Sequence, residues 1–221
     1  MLVIYLLLDG SDLAKLILVR HGETEMGRNR FLCGSTDEPL NAQGLRQINR
    51  LGERLAATHV DAIYSSDLQR ARATAQAISR NRHISVLACP EMRELDFGQC
   101  EGLTFDQVEN RYPDVARLWL ARSPILAYPG GESLDRFEQR VGQVLSRLQK
   151  HKTTDTVVLV AHLGSLRILL CYLLGIPRQH WWQFQLDNAS LNTIETQPRG
   201  IDPGADGQAM LLALNDTSHL I

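Results

Sequence analysis

Short apolar runs alternate along this chain with longer segments of helical period, and no other pattern in it limits the fold so severely. Leu16–Val19, Ala62–Tyr64, Ile84–Leu87 and Val157–Val160 are too short for helices and largely apolar, as strands buried on both faces must be. Between them, Gln43–Ala57 sets Leu45, Ile48, Leu51 and Leu55 at three- and four-residue spacing, one stripe expected to face a sheet. A second helix is expected from Asp67 to Ser79. Ser133, a good N-cap, opens a third through Leu134, Phe137, Val141, Val144 and Leu148. Thr104 and Gln107 have capping-box spacing. Ser165–Leu174 is apolar all round and meets Gly175 and Pro177, which predicts a buried helix with a sharp end. Phe184–Glu195 returns to strand-like alternation, and Met210–Leu214 reads as a last strand beyond a loop at Pro198–Gly207. The order predicts an α/β domain with helices packed on a mostly parallel sheet.

Length and charge narrow the functional classes. A chain of 221 residues, 44% hydrophobic, buries roughly 70% of its unfolded surface and needs no metal or disulfide to hold a core. Cys33, Cys89, Cys100 and Cys171 are scattered, so they are read as reduced thiols of a cytoplasmic protein, with no metal site. With 23 Lys+Arg against 25 Asp+Glu, nothing in the overall charge favours nucleic acid or an anionic membrane as partner. Met1–Leu8 is apolar, but it has no basic start, is too short to span a bilayer, and soon meets Asp9 and Asp12. Residues 1–14 are therefore read as an extension or extra edge strand ahead of one domain over residues 15–221.

Two of the strands end in histidine. Leu16–Val19 runs into Arg20, His21, Gly22, Glu23 and Thr24, and Val157–Val160 into Ala161, His162, Leu163, Gly164 and Ser165. Ligands bind at strand ends in open α/β sheets, and a glycine-containing turn into a helix offers free N–H groups to a phosphate. Ala62–Tyr64 leads to Ser66-Asp67-Leu68-Gln69-Arg70-Ala71-Arg72, where Arg72 is read as a solvated helix residue and Arg70 as a candidate for the site.

These blocks, with Arg93-Glu94-Leu95-Asp96-Phe97-Gly98-Gln99-Cys100-Glu101-Gly102, resemble the histidine phosphatase superfamily, the phosphoglycerate mutase-like proteins, from Lys15 to the C-terminus. The resemblance implies a single three-layer α/β/α domain. It also implies a metal-independent phosphomonoesterase without cofactor, in which His21 is phosphorylated, Arg20, Arg70 and His162 hold the transferring group, and Glu94 donates and accepts the proton. Gly22, Thr24, Asn29, Cys33, Gly34, Leu163 and Gly164 are carried over as substrate-binding positions beside Arg20, Arg70 and Glu94, and Glu101 as a structural one. Two positions depart from the family pattern: Gly27 stands where an asparagine is common, with Asn29 two residues on, and Leu163 stands where a glycine is usual.

The short stretch from Arg93 to Gly130-Gly131-Glu132-Ser133 favours a phosphatase over a mutase. Leu169–Pro177 with His180-Trp181-Trp182, and Leu214–Leu220, are similar to the α-ribazole phosphatase branch, making α-ribazole 5′-phosphate the leading substrate. The tryptophans themselves are read as packing. A broad-specificity sugar-phosphate or phosphoglycerate phosphatase or mutase is the enzymatic alternative. A catalytically weakened phosphate-binding protein is the non-enzymatic one. The partner is then a small phosphate ester, with a homodimer left open.

Overall fold

The computed structural model describes residues 14–196 and 209–221; apart from Ala14, the expected extension or edge strand at residues 1–14 and the loop at Pro198–Gly207 lie outside them. One six-stranded sheet has the order β3-β2-β4-β1-β5-β6. Its strands are β1 (Lys15–Arg20), β2 (Ala62–Ser65), β3 (Val86–Ala88), β4 (Thr156–Ala161), β5 (Leu191–Thr196) and β6 (Ala209–Asp216). The first four in space are parallel, and β5 and β6 are added antiparallel to the edge beside β1. The helices are α1 (Glu25–Arg28), α2 (Ala42–Leu55), α3 (Gln69–Ser79), α4 (Phe105–Arg111), α5 (Pro113–Leu120), α6 (Leu134–Gly142), α7 (Leu145–Leu148) and α8 (Leu163–Leu174).

Strand alternation sorts the core into two layers. Leu16, Leu18, Val157, Leu159 and Ala161 face α6 and α8 through Phe137, Val141, Leu166 and Leu170, whereas Ile17, Val19, Val158 and Val160 face α2 and α3 through Leu51, Leu55, Ala75 and Ile78. Burial of β1 and β4 on both sides explains their unbroken apolar runs, and the molecule is a three-layer α/β/α domain.

Several sequence expectations need correction. Leu45 does not face the sheet: it is 50% exposed, and the inner stripe of α2 is Gly44, Ile48, Leu51 and Leu55. Gly44 occupies the stripe because a Cβ there would lie 2.1 Å from Glu23 O, so only glycine lets α2 start against the loop after β1. The third expected helix is two, because the backbone beyond Gly142 tightens, with Val144 N–H donating to Val141 O before α7 begins. The strand expected from Phe184 forms only from Leu191; a 3₁₀ segment, Arg178–Gln183, and a loop precede it. Helix α8 starts at Leu163, two residues earlier than expected, and ends at Gly175 with φ 63°. The helix Pro113–Leu120 was not anticipated.

Candidate active site

The site follows from the register. Arg20 pairs with Ala161 and Ser65 with Val160, so the next residues, His21, His162 and Ser66, emerge side by side at the carboxyl ends of three adjacent parallel strands. His21 N–H donates to Ala161 O at 3.0 Å and Ser66 N–H to Val160 O at 2.9 Å, extending the ladders one step into the loops. The imidazole centroids of His21 and His162 are 5.0 Å apart.

The hydrogen bonds fix both tautomers. His21 Nδ1 lies 2.7 Å from Gly22 O, a pure acceptor, so Nδ1 carries the proton and Nε2 keeps a lone pair. His162 Nδ1 accepts from Arg70 Nε at 3.2 Å, so its proton is on Nε2, which donates to Ser66 Oγ at 2.8 Å. The two rings are opposite tautomers. Both histidines are held well below the usual imidazole pKa, first by burial and then by the charge of Arg70, with Arg20 adding to both. Burial, more than the neighbouring arginines, thus keeps His21 neutral.

That neutrality has a cost in acid. A buried imidazole with a depressed pKa binds fewer protons than the unfolded chain, so its contribution to stability is intact above pH 6.5 and declines as pH falls below it. Urea unfolding between pH 7.5 and 5 should show stability falling by up to about 1.4 kcal/mol per pH unit for each of the two rings once below pH 6.5. A profile flat through that range would mean the rings are not held neutral.

Arg70 is 1% exposed although it is in the first turn of α3. Its Nη1 donates to Thr36 O at 2.7 Å and its Nη2 to Gly34 O at 2.8 Å and Cys33 O at 3.4 Å. The loop supplying those oxygens is held by Glu101, whose carboxylate accepts from the N–H groups of Gly34, Ser35, Thr36 and Phe97 and from Thr36 Oγ1. Glu101 is structural, as expected. Arg72 is exposed. Arg20 donates Nη1 to Leu186 O at 2.7 Å, while its buried Nε has no partner; burial lowers its pKa to about 10, so it stays charged at neutral pH.

Glu94 reaches the site from the loop after β3. Its Oε1 accepts from Leu95 N–H at 2.9 Å and its Oε2 from Gly164 N–H at 3.0 Å. A Cβ on Gly164 would lie 2.3 Å from Oε1, so the missing side chain is what admits this carboxylate to the start of α8. Arg140 fixes the loop from behind, donating to the carbonyls of Glu91, Arg93 and Glu94 and gripping both oxygens of Glu132 at 2.7 and 2.8 Å. A cavity of about 440 Å³ opens beside Glu94, lined among others by Ser35, Arg93, Asp96 and Gln143.

The remaining candidates divide. Gly22 belongs to the site: its carbonyl orients His21 and its N–H donates to Thr74 Oγ1. Gly34 and Cys33 bind Arg70 through backbone oxygens; burial pushes the Cys33 thiol up to about 11, leaving it neutral. Thr24 caps α1 by accepting from Gly27 N–H. Asn29 is exposed and its amide is committed to Glu25 O and Oε1, both at 3.0 Å. Leu163 packs partly against the core, and the N–H that meets Glu94 is that of Gly164. Trp181 also packs on the core, and Trp182 lies beneath the Arg122 guanidinium, 3.2 Å from the ring centroid, consistent with packing roles.

Sequence reading gave no role to Ser66, Arg140 or Asn188, whose amide donates to His21 O at 3.1 Å. Glu132, in the Gly130–Ser133 motif, was the only available signal for the Arg140 clamp. Among the described residues no group of three His, Cys, Asp or Glu side chains could hold a metal, and no helix is long and apolar enough to cross a membrane.

The chain is 34% identical over 208 residues, 94% of its length and 95% of the relative's, to phosphoserine phosphatase 1 of Hydrogenobacter thermophilus. It is 30% identical over 186 residues, 82% of the chain and 89% of the relative, to the adenosylcobalamin/alpha-ribazole phosphatase of Escherichia coli. The fold superimposes with a TM-score of 0.79 and 29% identity on a mutant phosphoserine phosphatase from Entamoeba histolytica crystallised with phosphoserine, covering 94% of this chain and all of that one. The family model for branch 1 of the histidine phosphatase superfamily matches residues 16–203, the span that carries both strand-end histidines, and with that match the chain belongs to this superfamily.

Proposed function

We propose that this protein hydrolyses a small phosphate monoester through a phosphohistidine at His21. The observation that carries the reading is the lone pair on His21 Nε2, created by the Nδ1–Gly22 bond and protected by burial, in a site that also holds Arg20 and Arg70. Nε2 attacks phosphorus as the P–O bond to the alcohol breaks, and Glu94 delivers the proton to the leaving oxygen. Glu94 then takes a proton from water as the oxygen attacks phosphohistidine, releasing inorganic phosphate and restoring the neutral ring.

Arg20 supplies an unpartnered buried donor to the phosphoryl oxygens, and Arg70 supplies charge from a fixed cradle. His162 has both nitrogens engaged, so it meets the phosphoryl group only by releasing Ser66 or Arg70. Two esters lead: α-ribazole 5′-phosphate, from the resemblance of residues 169–187 and 214–220, and O-phosphoserine, from the relative at 34% identity.

The test is kcat/KM for phosphate release from these two esters beside 3-phosphoglycerate, a sugar phosphate and a nucleoside monophosphate, with His21→Ala as blank. A preference of about a hundredfold, near 2.7 kcal/mol, would mark a dedicated enzyme, and a flat profile a broad one. Wild type no faster than the blank on any ester would remove the phosphatase reading and leave a phosphate-binding protein.

A further inference from the structure

One cation near the site has no assigned task. Arg167 follows Gly164 by three residues on α8, so the two share a helix face, the face that meets Glu94. Its Nε donates to Phe184 O at 2.7 Å, anchoring the root of the guanidinium. Among the described residues neither terminal amino group has a partner, and neither is sealed from solvent. Arg167 feels the charge of Glu94 without forming an ion pair with it, and Arg20 feels the charge of Arg167. Arg140 and Arg70, by contrast, have their donors spent on the protein itself.

A half-buried guanidinium loses hydration, and two open N–H groups in one plane fit the two oxygens of a carboxylate. Its position selects which part of the substrate it meets. On the phosphatase reading, Glu94 protonates the leaving oxygen, so a cation on the Glu94 side faces the alcohol half of the ester, while the phosphoryl oxygens fall to Arg20 and Arg70.

We propose that Arg167 binds a carboxylate on the leaving alcohol, so that the preferred substrates are phosphate esters of hydroxy acids or hydroxy amino acids. The proposal rests on the phosphatase reading above. It makes Arg167 a specificity-determining residue, and it favours O-phosphoserine over α-ribazole 5′-phosphate.

The experiment compares wild type, Arg167→Met and Arg167→Lys on O-phosphoserine, 3-phosphoglycerate and propyl phosphate, which has no carboxylate. In Arg167→Met the ratio of kcat/KM for O-phosphoserine to that for propyl phosphate should fall by about thirtyfold or more, mainly through KM, with Arg167→Lys recovering part of it. Turnover of propyl phosphate by the same preparation shows that the variant is folded. An equal loss on carboxylated and plain esters would overturn the proposal, since it would mean that Arg167 acts through Glu94 or the fold. Wild type that turns over propyl phosphate as well as O-phosphoserine would also overturn it while leaving the phosphatase reading intact. Wild type inactive on every ester would overturn both.

Discussion

His21→Ala should lose turnover on every phosphate ester by at least about 10⁴-fold and should form no acid-labile phosphoenzyme. The size follows from what the ring contributes. In the mechanism proposed above its Nε2 lone pair is the nucleophile, and alanine leaves Arg20 and Arg70 with their charges but nothing to attack phosphorus. Rapid quenching with a ³²P-labelled ester would detect the intermediate directly. Phosphoenzyme persisting in His21→Ala would move the covalent site elsewhere, while residual turnover within tenfold of wild type would mean direct attack by water.

Glu94→Gln should reduce kcat/KM for an alkyl phosphate by about 10²–10⁴-fold and for p-nitrophenyl phosphate by far less, because a good leaving group needs no proton. The quantity kcat/KM reports the first transfer alone, so it isolates the acid role from the later activation of water. With the activated ester a burst of p-nitrophenol should precede a slow steady state, as phosphohistidine waits for a base. Both oxygens of Glu94 accept N–H groups, from Leu95 and Gly164, and glutamine offers only one acceptor. One donor is left unpaired, a loss of about 1–3 kcal/mol in stability. Equal slowing of both esters would therefore indicate a displaced loop, not a missing acid.

The parts of the fold that could be read in advance are those governed by local pattern. Apolar runs gave β1, β2 and β4, glycine gave the end of α8, and strand-to-histidine junctions gave the two histidines that the sheet places side by side. What escaped was set by distant contacts. Leu45 looked like part of the inner stripe of α2, but the position that touches the sheet side is Gly44, chosen by a carbonyl from the loop before it. The antiparallel pair β5 and β6 includes a strand much shorter than its alternating sequence, since residues 184–190 form a loop whose backbone is bonded to distant groups: Phe184 O to Arg167, Leu186 O to Arg20, and Ala189 N–H to the carbonyls of Arg20 and His21. The site shows the same division. His21 and His162 were legible, but the tautomer of His162 depends on Arg70, 92 residues away, and the placement of Glu94 on Arg140, 46 residues away.

Glu101 gives the loop at residues 33–36 an unusual kind of dependence. That loop has no regular structure, and one carboxylate some 65 residues downstream accepts four of the N–H groups that shape it and its neighbour. For anyone redesigning the enzyme, loop and carboxylate form a single inheritable unit. A library that varies Gly34–Thr36 while Glu101 stays fixed samples only conformations that still present N–H groups to it. An insertion there would shift all three oxygens that cradle Arg70. Specificity is more safely re-engineered at positions outside this loop and outside the Arg140–Glu132 clamp that holds Glu94.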